Sequence, residues 1–350
     1  MDAALAVEGA RMQIATVGGV DPQEIVFTSG ATEANNIALL GLARAAKAIG
    51  EGRRRLAISA IEHKSVLAAA ESLRKEGFVI DILPVTQAGI VDLASARLLI
   101  GSETLVVSVM AANNETGLVQ PVEAVTDIAH RAGAIMHVDA AQAFGKLPLE
   151  LWRFDMASLS AHKLYGPMGV GALYVSAAAP LRPAPLVFGG GQEGGLRPGT
   201  VPTPLIVGFG AAACLAQARM TADAAHGRAL TAAFLDRIEA LMPNWRRRAE
   251  GEDTIPGSLN IEFIGVDSDE LIQRVSNTVC LSNGSACSAG QMDMSHVFRA
   301  MNIPETESAS TVRLFFGRHN TVDEINFAAG EIASAVRDMT AAWTSRPGPR

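Results

Sequence analysis

A chain of 350 residues is long enough for two domains of about 150 residues each. Hydrophobic residues make up 49% of it but aromatics only 5%, so its core must be built from Ala, Val, Leu, Ile and Gly. The balance of 29 basic and 36 acidic residues, a formal charge of -7, excludes a general nucleic-acid or anionic-membrane binder, because either needs a basic face.

The first nineteen residues carry Asp2, Glu8 and Arg11 among apolar neighbours. They lack the basic start and unbroken apolar stretch of an export signal. The three cysteines form no CxxC pair and suit a reducing compartment. A soluble, cytoplasmic protein with no membrane segment is the expectation.

Apolar, β-rich runs then recur at 24–28, 56–61, 79–85, 105–110, 135–139, 156–160 and 170–175, with helical stretches at 33–49, 65–76 and 122–132 among them. Strands alternating with helices predict a largely parallel sheet covered on both faces. Ligands of such sheets bind beyond the carboxyl ends of the strands. The Gly/Pro-rich stretch 187–203 breaks the pattern. A helix over about 205–240 follows. Its apolar run 205–218 is shorter than the ~20 residues that cross a bilayer, so it predicts a buried core helix. A second set comes after 257: strands at 258–263 and 310–316, a Gly/Ser loop at 282–290 and a closing helix over 322–344. The division is a large domain at 1–215 and a smaller C-terminal α+β domain at 216–350.

The polar residues cluster where the strands end. Ser160-Ala-His162-Lys163 follows one strand; a lysine there can form an imine with an aldehyde cofactor, or simply be a surface residue. Asp139, in His137-Val-Asp139-Ala-Ala-Gln142, ends another. A buried carboxylate is costly unless paired, and a protonated pyridine nitrogen is a suitable partner; a helix-capping Asp is the plainer reading. Thr28-Ser-Gly-Ala31-Thr32-Glu33 is a strand-to-helix turn whose N–H groups can hold an anion. It has no Gly-Lys-Ser/Thr ending and is no Walker loop. His63 could stack on a flat ring and move protons, or only start a helix. The stretch Asn113-Asn114-Glu-Thr-Gly117 could bond a ligand or form an Asx turn. Cys287, in the Gly/Ser-rich loop, sits on a segment expected to be exposed and reactive. Cys214 and Cys280 read as small buried hydrophobes. Cys280 and Cys287 lack neighbouring His ligands, so no metal site is expected. Arg313, inside an apolar strand, needs an anionic partner, either a substrate carboxylate or an internal acid.

Eight motifs in order, FTSGATEANN, IEHKSV, ANNETGLVQP, HVDAAQAFGKLPL, SLSAHKLYGPMGVGALYV, GGGQEGGLRPGT, SNGSACSAG and TVRLFFGR, resemble the cysteine desulfurases. These are a branch of the class V aminotransferase group with the fold-type I architecture. The short SNGSAC loop is similar to that of their first group. The resemblance implies a mostly parallel seven-stranded sheet in the large domain and pyridoxal 5'-phosphate as cofactor. In it, Lys163 attaches the cofactor and is the proton-transfer base. Asp139 pairs with the ring nitrogen, and Gln142 bonds the ring's phenolic oxygen. His63 stacks and acts as an acid/base, while Ala31, Thr32, Ser160 and His162 serve the phosphate. Thr200 reaches the phosphate of a partner subunit, which implies a homodimer. Asn114 and Arg313 bind the substrate L-cysteine, and Cys287 takes its sulfur as a persulfide, leaving L-alanine. The sulfur would pass to an iron–sulfur scaffold or another acceptor protein. The family's usual opening, an Asp-x-x-Ala-Thr-Thr-Pro strand and an Asn-Pro-Ser-Ser segment, is not in this sequence. That keeps three further readings in view: a selenocysteine lyase, an aminotransferase, and a degenerate copy that only binds a partner.

Overall fold

The computed structural model describes residues 3–283 and 294–344. They fall into two compact units. Unit 1 takes Met1–Thr86, Ile90–Asn113 and Gln120–Met220; unit 2 takes Gln87–Gly89, Asn114–Val119 and Thr221–Arg350. The change of unit near residue 220 lies inside one continuous helix, so no linker composition marks it. The two short excursions of unit 2 carry no sequence signal either.

Unit 1 opens with α1 (Ala3–Gly18) and β1 (Ile25–Thr28). The helical stretch read at 33–49 is α2 (Ala31–Asn36), a π turn (Ile37–Gly41) and α3 (Leu42–Ala48) in unbroken succession. Gly41 sits there because a Cβ would strike the carbonyl oxygen of Ala184; the Ala184 N–H in turn donates to the Gly41 carbonyl at 3.0 Å. Then come β2 (Arg55–Ser59), α4 (Lys64–Lys75), β3 (Val79–Leu83), α5 (Leu93–Leu99) and β4 (Thr104–Met110). After α6 (Val122–Arg131) the strands β5 (Ile135–Asp139), β6 (Met156–Ser160) and β7 (Gly171–Val175) complete one seven-stranded sheet of order β1-β7-β6-β5-β4-β2-β3. Strands β4, β5, β6 and β7 are buried at every position, which is why they read as continuous apolar runs and not as alternating ones.

The pairs β2–β3, β2–β4, β4–β5 and β5–β6 are parallel, while β7 runs antiparallel to both β6 and β1. The loop between β6 and β7 has no room for the crossover that a parallel return needs. The free edge of β1 is closed from a distance. Glu193, in the Gly/Pro-rich stretch, accepts the Phe27 N–H at 2.7 Å and pairs with Arg11 of α1 at 2.7 Å. Arg11 also donates to the Ile25 carbonyl and stacks on the Phe27 ring. A covered edge cannot template pairing with another chain.

Helix α7 (Thr203–Leu241) is 39 residues long. Among the described residues it alone is long and apolar enough to cross a membrane by length and composition, a test that the core helix of a soluble protein also passes. Its apolar run at 205–218 is not wholly buried. Ile206, Phe209, Ala213 and Ala216 form a buried stripe at helical spacing, while Val207 and Leu215 are exposed. Cys214 lies on the exposed side, and Cys280 is exposed too. Both had been expected in the core; small size and apolar neighbours did not fix which helix face Cys214 takes.

Unit 2 is built on a three-stranded antiparallel sheet of order β10-β9-β8: β8 (Trp245–Arg247), β9 (Ser258–Phe263) and β10 (Thr311–Phe315). Helices α8 (Ser268–Val275), α9 (His296–Ala300), α10 (Glu305–Ala309) and α11 (Val322–Thr344) accompany it. Leu230, Phe234, Phe263, Val312, Ile332 and their neighbours form its core. The buried Glu262 of β9 is matched by Arg248 at 2.6 Å, and Arg248 also reaches Glu307 at 2.5 Å. The Gly/Ser loop and Cys287 lie outside the described residues.

Candidate active site

In the parallel part of unit 1 the carboxyl ends of β2, β4, β5 and β6 lie along one edge of the sheet, where a ligand site is expected. Asp139 is the last residue of β5 and is buried at 4% exposure. Its Oδ2 accepts from Asn35 Nδ2 at 2.8 Å and its Oδ1 from the Ala141 N–H at 3.0 Å. Burial pushes this carboxyl up; the hydrogen bonds from Asn35 and the Ala141 N–H, and the charge of Lys163, pull the other way. Among the described residues it has no ion pair. An ionised carboxylate in such a place is stable when a cation joins it.

Lys163 lies half-buried in the 3-10 turn Ala161–Leu164 that directly follows β6. Tyr165 closes that turn in the left-handed region, at φ 66°. Such a conformation in a bulky residue is held by its surroundings and gathers at functional sites. Two basic side chains stand close to Lys163. Burial, then the charge of Lys163, brings the Lys146 ammonium down to about 8. Partial burial and the charges of Lys163 and Lys146 push the His162 imidazole below its ordinary value. The Nδ1 of His162 is 3.1 Å from Ser160 Oγ. A cluster of cationic and donor groups of this kind suits an anion.

The second anion-ready element is the start of α2. Gly30 precedes it at φ 149°, and β7 passes so close behind that a Cβ on Gly171 would strike Gly30 and the Leu159 carbonyl. The turn is further fixed by the Ser29 N–H, which donates to Glu33 at 2.5 Å. Although burial opposes it, Arg197 at 3.0 Å and Ser29 hold the Glu33 carboxyl below its ordinary value. The first N–H groups of the helix, at Ala31 and Thr32, are thus presented at a rigid turn. Thr32 is exposed, as is Thr200, three residues beyond Arg197. Thr200 lines a cavity of about 860 Å³ with Arg11 and Glu193. Lys163, Asp139 and His63 are not on its walls, so this cavity is not where the titratable cluster sits.

His63 caps α4, and Gln142 is half-buried just after β5. Beneath His63 the buried Glu62 accepts from Ser59 Oγ at 2.7 Å and from the Met110 N–H at 2.6 Å, so it joins the ends of β2 and β4. Burial, with the charge of Asp139 added, pushes its carboxyl up to about 8. It therefore holds its proton at neutral pH. Asn113 Nδ2 donates to the Ile61 carbonyl at 3.0 Å and ties the same two strand ends. His137, wholly buried in β5, stands between Ser108 Oγ at 2.8 Å and Ser158 Oγ at 3.0 Å. Burial pushes it down to about 3, so it is a neutral strut across three strands.

In unit 2, Arg313 donates through Nε to Ser282 Oγ at 3.1 Å and through a terminal nitrogen to the Asn114 carbonyl at 2.7 Å. Neither partner is acidic. Of the two partners expected for Arg313, no internal acid pairs with it among the described residues.

Asn35, Glu62, Ser65 and Lys146 are the residues that reading the sequence missed. Asn35, Glu62 and Ser65 lie inside the motifs FTSGATEANN and IEHKSV, and Lys146 inside HVDAAQAFGKLPL. Only the folded sheet brings Asn35 within reach of Asp139, 104 positions later.

The donor set fits pyridoxal phosphate. A buried carboxylate suits its ring nitrogen, a strand-end lysine suits its aldehyde, and a rigid helix start with Ser160 and His162 suits its phosphate. That is the residue set of an α/β enzyme working with this cofactor. The chain belongs to the class-V aminotransferase family, whose model matches residues 1–327. Within it, the mitochondrial cysteine desulfurase of Drosophila melanogaster is 43% identical over 343 residues, 97% of this chain and 73% of that one. A solved NifS-like protein superposes with a TM-score of 0.87 at 34% identity, covering 96% of this chain and 88% of its own. The structure of SspA in complex with cysteine superposes at 0.77 with 35% identity, covering 91% and 88%. The family is pyridoxal-phosphate-dependent, and the seven-stranded sheet with a smaller second sheet matches that architecture.

Proposed function

We infer that this chain is a cysteine desulfurase: it removes sulfur from L-cysteine, leaves L-alanine and collects the sulfur on Cys287. The observation that carries the reading is Asp139, a buried carboxylate with two hydrogen-bond donors and, among the described residues, no ion pair, near Lys163. The likeness to desulfurases over nearly the whole chain, and to a relative solved with cysteine bound, supports it.

Bound here, pyridoxal phosphate supplies a ring that accepts negative charge developing at the substrate's α-carbon. The protein's residues do the rest. Asp139 keeps a proton on the ring nitrogen by ion pairing. Gln142 bonds the phenolic oxygen, and Ala31, Thr32, Ser160 and His162 hold the phosphate. Lys163 anchors the cofactor and moves the α-proton. Arg313 and Asn114 orient the substrate's carboxylate. The thiolate of Cys287 attacks the substrate's sulfur; a sulfur–sulfur bond forms, the carbon–sulfur bond breaks, and the carbon takes a proton to become alanine.

The reading extends to a homodimer in the cytoplasm, with Thr200 serving the partner's phosphate. Phe188 at 88% exposure and Met168 at 80% are large apolar side chains that a second copy would cover. The sulfur acceptor is an iron–sulfur scaffold or another acceptor protein. The test is to load the purified chain with pyridoxal phosphate, reduce it with borohydride and map the adduct by mass spectrometry. The adduct is expected on Lys163. An adduct spread over surface lysines, with no alanine formed from cysteine, would overturn the reading.

A further inference from the structure

A continuous hydrogen-bonded chain joins Asp139 to His63 inside unit 1. Asn35 is fully buried. Its Nδ2 donates to Asp139 Oδ2 at 2.8 Å and to Ser65 Oγ at 2.8 Å. Ser65 Oγ lies 2.8 Å from His63 Nδ1, and the Ser65 N–H donates to the same Nδ1 at 3.1 Å.

The direction of every proton in this chain follows from its two ends. As the carboxylate that would pair with a cationic ring nitrogen, Asp139 only accepts, so the amide nitrogen of Asn35 and not its oxygen faces it. The Asn35 Oδ1 is left buried with no partner among the described residues. Leaving such an acceptor unmade is costly, so the amide is oriented by its two donor bonds. Ser65 Oγ then accepts from Asn35 and has its own proton to give, and the nearby acceptor is His63 Nδ1. That nitrogen also accepts the Ser65 N–H, a donor that cannot reverse its direction, so a proton on Nδ1 would break that contact.

We propose that Asn35 and Ser65 are positioning residues that hold His63 as the neutral Nε2–H tautomer, so that His63 presents its proton to the site through Nε2. The proposal rests on the cofactor site inferred above, since Asp139 and His63 are its residues. It separates two tasks: Lys163 moves the α-proton, and His63 stacks and donates through Nε2. It also couples them. Any change at Asp139 reaches His63 through one amide and one hydroxyl.

The test is the 15N spectrum of the imidazoles in the full-length protein, recorded with and without pyridoxal phosphate. His63→Gln assigns the signals. In the native chain His63 is expected to show a pyridine-type Nδ1 and a pyrrole-type Nε2. Ser65→Ala removes one of the two donors to Nδ1 and is expected to move that signal toward the averaged position. Ser65→Thr keeps the hydroxyl and is expected to restore it. Asn35→Ala is expected to act like Ser65→Ala, which needs no change at a fully buried side chain. A native His63 protonated on Nδ1, or a Ser65→Ala spectrum identical to the native one, would overturn the proposal. Failure to bind the cofactor would instead sink the functional reading, because the tautomer is read in its absence as well.

Discussion

Replacing Glu62 by Gln should remove a large pH dependence from the stability of unit 1. Glu62 is fully buried, and its folded pKa is about 8 against an ordinary 4.5. Because the folded value is the higher one, the protonated carboxyl stabilises the fold. That contribution is complete below about pH 4.5 and is lost as pH rises through about 8. The difference is worth roughly 5 kcal/mol across that window. Glutamine imitates the protonated acid: its oxygen can accept from Ser59 and the Met110 N–H as Glu62 does. Glu62→Gln should therefore match the native chain near pH 5 and exceed its stability by several kcal/mol at pH 9. Urea unfolding of the cofactor-free protein, followed by circular dichroism from pH 5 to 9, measures this. A stability difference that stays constant with pH would refute the reasoning. Glu62→Ala offers a contrast, since it orphans two buried donors and should cost about 2–4 kcal/mol even at pH 5.

His137 predicts the mirror image. Its folded pKa of about 3 lies below the ordinary 6.5, so its stabilising effect is complete above pH 6.5 and fades as pH falls toward 3. Acid unfolding should steepen there by up to ~1.4 kcal/mol per pH unit, and His137→Gln should flatten the curve. Asp139→Asn should weaken both cofactor binding and alanine formation by about 100-fold, the order of a lost buried ion pair. It should leave the cofactor-free chain no less stable, because a buried charge is removed; titration of the visible cofactor band and urea unfolding check the two halves. Arg11→Met strands Glu193, whose side chain is only 4% exposed, and should cost about 3–5 kcal/mol in urea unfolding. Gly171→Ala should displace the Gly30 turn and weaken cofactor binding while Lys163 remains able to react.

Much of unit 1 was legible because its central strands are buried on both faces. Runs such as 105–110 and 135–139 announce themselves as continuous apolar segments, and the polar residues after them mark the site. What the pattern could not carry was partnership. Nothing in IVFT says that β1 lies at an edge, or that Glu193 closes that edge with Arg11, 182 positions earlier. Strand β8 was missed because Trp245, Arg246 and Arg247 look like surface residues, and on a short edge strand they are half-buried or exposed. Cys214 was placed in the core on composition, yet its phase on α7 turns it outward. The cofactor residues were legible one at a time. The relay through Asn35 and Ser65 was not, because it depends on three side chains from α2, α4 and β5 meeting in space.

Sulfur transfer itself is the most direct test. The chain, loaded with pyridoxal phosphate, is given L-cysteine and a thiol reductant, and alanine and sulfide are counted. Equal amounts of both, abolished in Lys163→Ala and in Cys287→Ser, are the predicted result. Alanine formation that survives in Cys287→Ser, or a native protein that binds the cofactor and forms neither product, would contradict the assignment.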